Sequence, residues 1–339
     1  MTRRPFEDRH RPAWDGSGPR PLVTTIWYPT TDTAQLDTLT MGIPGRPPAF
    51  LAGRVATEAP MTPGVRRPLI LLSHGTGGSA LQLAWLGITL AERGYIVAAV
   101  NHHGNTAAEP AYDPRGFLLW WERARDLSAV LDQLLQDSLL GPRIDSTRIG
   151  AAGFSLGGYT VLALAGAETD LEGFKTFCAG ASHDATCDPQ PEMPDAMNQL
   201  DRLVASDTAV RRSLAEAGGS IRDLRIRAIA ALAPAVVHGL SAASLQQIAL
   251  PVMLIAGEAD RTAPLATNAR YASTLIPGAS FTALPGVGHY TFLADCTDRG
   301  RRALPDLCGE AAGTDRRAVH RRIAAQLTAF FDRALAAAH

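Results

Sequence analysis

Ser155 sits in the run Gly153-Phe154-Ser155-Leu156-Gly157-Gly158, a G-x-S-x-G pattern directly after the apolar stretch Ile149-Gly150-Ala151-Ala152. Where a strand turns sharply into a helix, this pattern holds a serine hydroxyl exposed above a sheet. Flanking glycines suit it because the turn brings backbone segments close together. A serine hydroxyl alone is a weak nucleophile; it needs a base to take its proton and a third group to orient that base. Two downstream residues have the chemistry and the placing. Asp260 follows Val252-Met253-Leu254-Ile255-Ala256-Gly257-Glu258-Ala259, and His289 lies in Gly286-Val287-Gly288-His289-Tyr290. Each has a plainer reading: Asp260 as the cap of a helix near Pro264, Glu258 as the acid in its place, His289 as an ordinary loop histidine. A serine, an acid and a histidine at the ends of three successive elements favour one shared site. The loop Ala233-Pro234-Ala235-Val236-Val237-His238 offers no rival carboxylate. Acyl transfer also needs donors for the developing oxyanion, each worth roughly 3 kcal/mol. The backbone amide of Leu156, just after the nucleophile, is one candidate. The other is that of Thr76 in His74-Gly75-Thr76-Gly77-Gly78, where His74 reads as structural.

Such residues meet only if strands end along one edge of a sheet, where the following loops converge. The sequence supplies that rhythm. Residues 22–28 alternate as a strand, and 68–73 form a short apolar strand of the kind covered on both faces. Ser79 can cap a helix that ends at Gly94, and residues 95–100 are the next strand. Trp120, Ala124, Leu127, Leu131 and Leu134 recur at helical spacing. A strand at 148–153 feeds a helix at 155–165. Strands follow at 227–233 and 251–256, with a weaker one at 280–284. Val319, Ile323, Leu327, Phe330 and Ala334 mark a last helix. Residues 1–20 read as irregular, and 29–67 as a long connection with one short strand near 50–55. Alternation of this kind predicts an α/β fold, a mainly parallel sheet with helices on both faces. Residues 171–224 interrupt it with a Pro-rich run and two short helical stretches. Breaks of that length in compact domains are usually lids or binding elements. The expectation is a single domain over residues 1–339 with a lid-like insertion at 171–224.

With these residues in place, the chain resembles an α/β-hydrolase of the serine-esterase branch. It is similar in particular to the bacterial proteins labelled predicted dienelactone hydrolases, relatives of the platelet-activating-factor acetylhydrolases. Thr25-Ile26-Trp27-Tyr28-Pro29, Ser73-His74-Gly75-Thr76-Gly77-Gly78, Gly94 to Thr106, the Ser155 run and Gly288-His289 carry the likeness. The order Ser155, Asp260, His289 is the α/β-hydrolase order. The resemblance implies serine esterase activity without metal or organic cofactor. It departs from true dienelactone hydrolases, which resemble this fold but use a cysteine where Ser155 stands, so a dienelactone substrate is not expected.

The expected substrate is a small ester with a short- to medium-chain or aromatic acyl group, with His102, Asn105, Trp121 and Tyr290 as candidate contacts. Of the adjacent tryptophans, Trp120 lies on the buried stripe and Trp121 is the freer. Thioesterase, peptidase and non-catalytic binding readings stay open, because a fold does not determine function. The 339 residues, 46% hydrophobic, suffice for a large core, and the net charge of −1 gives nucleic acid no electrostatic footing. No apolar run approaches the roughly 20 residues of a membrane span. The sequence begins without an apolar signal segment, so the expectation is cytoplasmic as written. Two close cysteine pairs, Cys178 with Cys187 and Cys296 with Cys308, favour two disulfide loops over four free thiols. Disulfides there would make the protein secreted or periplasmic.

Overall fold

Leu69 and Leu71 pack into one hydrophobic cluster while Ile70 and Leu72 pack into another, the period-2 alternation of a strand buried on both faces. Their strand, β5 (Arg67–Ser73), lies inside an eight-stranded sheet of order β1-β2-β6-β5-β7-β8-β9-β10. The computed structural model describes residues 1–31, 35–42 and 46–336. The strands before β5 are β1 (Thr2–Pro12), β2 (Pro19–Trp27), β3 (Asp37–Met41) and β4 (Phe50–Val55). Those after it are β6 (Ile96–Val100), β7 (Ile144–Phe154), β8 (Ile226–Leu232), β9 (Val252–Gly257), β10 (Ser280–Leu284) and β11 (Asp295–Cys296). From β6 to β10 the large sheet is parallel; β1 and β2 add an antiparallel edge. A small antiparallel sheet, β11-β4-β3, stands apart.

The helices are α1 (Ala84–Glu92), α2 (Pro114–Leu118), α3 (Glu122–Gln136), α4 (Leu156–Leu164), α5 (Leu171–Ala179) and α6 (Leu200–Ser206). They continue with α7 (Thr208–Glu216), α8 (Ala242–Leu245), α9 (Ala269–Leu275), α10 (Asp298–Ala303), α11 (Pro305–Cys308) and α12 (Arg316–Ala334). Leu127 and Leu131 of α3, with Val161 and Leu162 of α4, cover one sheet face; Leu86 of α1 and Leu327 of α12 cover the other. Every residue of α4 is buried, and a helix apolar all round belongs inside. Asp170, Asp207 and Asp315 accept backbone N–H groups at the starts of α5, α7 and α12.

Four expectations change. Residues 1–20 are not irregular: β1 occupies most of them. Its pattern was hard to read because only Thr2, Phe6 and Asp8 of its first ten residues turn inward after Met1, and Pro5 and Pro12 suit only an edge strand. Ser79 makes no side-chain cap; the chain enters α1 through a 3-10 turn, and Asn101 Oδ1 takes the Ala80 amide. The stretch 29–67 carries two strands, β3 and β4, not one; its residues 32–34 and 43–45 lie outside the described residues, as do 337–339. Residues 171–224 hold three helices, α5 to α7, between α4 and β8, where two helical stretches were expected. Leu203 and Val210 of that segment share a third cluster with Trp14, Phe117 and Trp121. Both cysteine pairs are disulfide-bonded, Cys178 to Cys187 and Cys296 to Cys308. Among the described residues no helix is long and apolar enough to cross a membrane.

Candidate active site

The turn from β7 into α4 places Ser155 at φ 57° and ψ −121°, a conformation that L-residues avoid and that costs of order 1–3 kcal/mol. The surroundings enforce it. The Ser155 amide donates to Leu232 O at 2.9 Å, and Ser155 O accepts the Ala235 amide at 3.1 Å, so the loop after β8 grips both sides of the residue. A side chain at Gly153 would collide with the carbonyl of Gly157, and one at Gly157 with that of Ser73. The glycines are therefore demanded by the close approach of β5, β7 and α4.

His289 follows β10 and Asp260 follows β9. His289 Nε2 lies 2.9 Å from Ser155 Oγ, and His289 Nδ1 lies 2.7 Å from Asp260 Oδ2. Asp260 Oδ1 accepts the amides of Thr262 and Ala263 at 2.9 and 2.7 Å. Asp260 thus closes its own turn while facing the imidazole; it caps no helix near Pro264, since the next helix, α9, begins at Ala269 behind Asn268. All three residues are nearly buried, at 5–7% exposure. Nδ1–H donating to the carboxylate leaves Nε2 to accept the serine proton, the tautomer general-base catalysis requires.

Ser155 and His289 open on a cavity of about 1060 Å³. Thr76 lines it; among the described residues neither the Thr76 amide nor the Leu156 amide donates to another group. Free N–H groups beside a nucleophile can receive an oxyanion. Tyr290 also lines the cavity. The other three proposed contacts do not. His102 is fully buried and bonded to Ser73 and Asp126. Asn105 is fully buried, its Oδ1 accepting from the Gly77 amide at 2.8 Å and Arg123 at 3.1 Å. Trp121, expected to be the freer tryptophan, is the more buried, and its Nε1 donates to Ser213. Each is drawn inward by a polar partner that sequence spacing does not reveal.

His74 is structural, as expected. Its Nδ1 faces Gly75 O at 2.7 Å and its Nε2 accepts the His102 amide at 3.1 Å, while burial and the nearby Arg123 hold its pKa well below 6.5. The cavity has two outer walls. One is residues 185–192, within the insertion expected to be lid-like, which Cys187 ties back to α5. The other, near Leu304 and Leu307 and tied by Cys308 to β11, sequence reasoning missed; only the cysteines marked that stretch.

A mainly parallel sheet, a strained serine at a strand-to-helix turn, and an acid and histidine after the next strands define an α/β-hydrolase. The comparisons with known proteins agree with that class. Residues 81–217 match the model of the prolyl oligopeptidase family. The chain is 35% identical to cutinase est2 of Thermobifida alba over 105 residues, 30% of this chain and 31% of that protein. It is 34% identical to the platelet-activating factor acetylhydrolase of Canis lupus familiaris over 95 residues, 26% of this chain and 21% of that one. These matches span a third or less of each relative's length. A ferulic acid esterase from Streptomyces cinnamoneus superposes with a TM-score of 0.59 at 22% identity, over 98% of this chain and 89% of that one. The chain has the α/β-hydrolase fold, and it is similar in part to proteins named cutinase and platelet-activating factor acetylhydrolase.

Proposed function

We propose that the chain hydrolyses carboxylic esters with Ser155 as nucleophile, His289 as base and acid, and Asp260 as the group that orients and stabilises the imidazolium. The observation that carries this reading is His289 bridging Ser155 Oγ and Asp260 Oδ2 at 2.9 and 2.7 Å on the wall of a large cavity. Ser155 Oγ attacks the ester carbonyl as its proton passes to His289 Nε2. The carbonyl oxygen, now an anion, is held by the Thr76 and Leu156 amides. Collapse expels the alcohol, which takes the proton from His289 and leaves an acyl-serine. Water, deprotonated by His289, then attacks the acyl carbon; the acid departs and Ser155 regains its proton. Met41, Phe50, Leu81, Leu293 and Leu307 give the cavity an apolar wall suited to a short- to medium-chain or aromatic acyl group. Residues 171–224 act as its cover, with 185–192 facing the substrate. The two disulfides favour an oxidising compartment.

The match of residues 81–217 to the prolyl oligopeptidase family favours amide hydrolysis as the second reading. A chain-length series of p-nitrophenyl esters, set beside acyl thioesters and aminoacyl amides, separates the two. The esterase reading expects hydrolysis of esters above amides, abolished in Ser155→Ala. Equal inactivity of wild type and variant on every ester would defeat it.

A further inference from the structure

Glu192 belongs to the insertion wall of the cavity and faces the loop that carries Thr76. A Cβ placed on Gly77 would lie 2.6 Å from Glu192 Cγ and 3.2 Å from the Tyr112 hydroxyl. The carboxylate forms neither an ion pair nor a side-chain hydrogen bond among the described residues. Tyr112 cannot supply one, because its hydroxyl is spent on Gly77 O at 2.8 Å. Arg3, Arg46 and Arg299 also reach the cavity lining, yet none of them pairs with Glu192 among the described residues. Glu192 is exposed to the cavity's solvent. Desolvation by the surrounding wall still raises its pKa above 4.5, opposed first by a hydrogen bond from its own backbone amide and then by His289. Asp188, on the same wall, adds negative charge. Two aromatic residues, Tyr112 and Tyr290, line the same space, and ring faces attract cations.

We infer that Glu192 is a specificity residue that receives a positively charged group of the substrate, an ammonium or quaternary ammonium, so that cationic esters are the favoured class. This rests on the ester-hydrolase reading and narrows it. A carboxylate on the wall of the nucleophile's cavity, beside the Gly77 loop and paired with no protein cation among the described residues, gains a charge-assisted contact when a cation arrives with the substrate. A neutral ester of equal shape leaves it to water.

The test compares shape-matched pairs with the charge on either arm. On the alcohol side these are choline acetate and 3,3-dimethylbutyl acetate. On the acyl side they are the p-nitrophenyl esters of 4-(trimethylammonio)butanoic and 5,5-dimethylhexanoic acids. The cationic member of at least one pair should show a higher kcat/KM by roughly fivefold, and Glu192→Gln should bring that ratio near one. No preference in either pair, or a preference that survives Glu192→Gln, overturns the inference. Calorimetric titration of Ser155→Ala with the same pairs reads recognition without turnover. Tighter binding of the cation there, lost in Ser155→Ala/Glu192→Gln, supports Glu192 even if no ester is turned over, whereas equal binding overturns it.

Discussion

Two Ser–His–Asp series stand among the described residues, and one of them opens on the cavity while the other is sealed. Ser155, His289 and Asp260 stand at the ends of β7, β10 and β9. Ser73, the last residue of β5, lies 2.9 Å from His102 Nε2, and His102 Nδ1 lies 3.0 Å from Asp126 Oδ2 on α3. By distances alone the two are near twins. They differ in access, in charge and in what surrounds the serine. Ser73, His102 and Asp126 are fully buried, whereas Ser155 and His289 line the cavity. Burial, with Arg123 adding to it, lowers the His102 pKa to about 3, so this imidazole cannot serve as a base near neutrality. Burial would raise the Asp126 pKa, but Arg20, Arg11 and His102 together hold it well below the usual carboxylate range.

The sealed series has a mechanical task. Arg123 donates to His74 O and to Asn105 Oδ1, and Asn105 Oδ1 takes the Gly77 amide. His102 donates its amide to His74 Nε2. The loop from His74 to Gly77, which carries the Thr76 amide into the cavity, is thus fastened from behind by the network around Asp126. On the proposed reading one series reacts and the other holds a donor loop in place, and residue type with pairwise distance does not tell them apart.

That contrast can be broken at several points. His289→Ala should lower kcat on a nitrophenyl ester by about 10⁴-fold or more while leaving the fold intact, because it removes the base from an open site. Asp126→Asn should instead act on stability, by about 3–5 kcal/mol in denaturant unfolding, since it strands the buried Arg20, whose carboxylate partner among the described residues is Asp126, while Arg11 keeps Asp8 and Glu122. Acid should separate the series further. Unfolded, an imidazole takes its proton near 6.5; folded, His102 does so only at about 3 and His320 at about 4, burial being the main cause. Between pH 7 and 5 the unfolded chain therefore binds protons that the native chain refuses, and stability falls by about 2 kcal/mol for each of the two. Unfolding midpoints that do not move over that range would contradict the buried, neutral state of both.

That Ser155, Asp260 and His289 meet was legible in sequence because each carries a strong local signal: glycines around Ser155, and apolar strands immediately before Asp260 and His289. The parallel core was legible for the same reason. The sealed series was not. Asp126 sits on an amphipathic helix where polar residues normally face water, and nothing local shows that Arg20, from β2 over a hundred positions earlier, folds onto it at 2.8 Å. His102 and Asn105 were read as cavity residues because they follow a strand. They do end beside the site, but bonds to Asp126, Ser73 and Gly77 turn them away from it. β1 escaped notice because an edge strand with two prolines gives little alternation, and Glu192 because an insertion loop has no period to read.

The most direct measurement is labelling with a fluorophosphonate, followed by peptide mapping, in wild type, Ser155→Ala and Ser73→Ala. One adduct per chain on Ser155, absent in Ser155→Ala and kept in Ser73→Ala, is the predicted result. An adduct that persists in Ser155→Ala, or no adduct on any serine of the folded wild type, would contradict the assignment of Ser155 as the nucleophile.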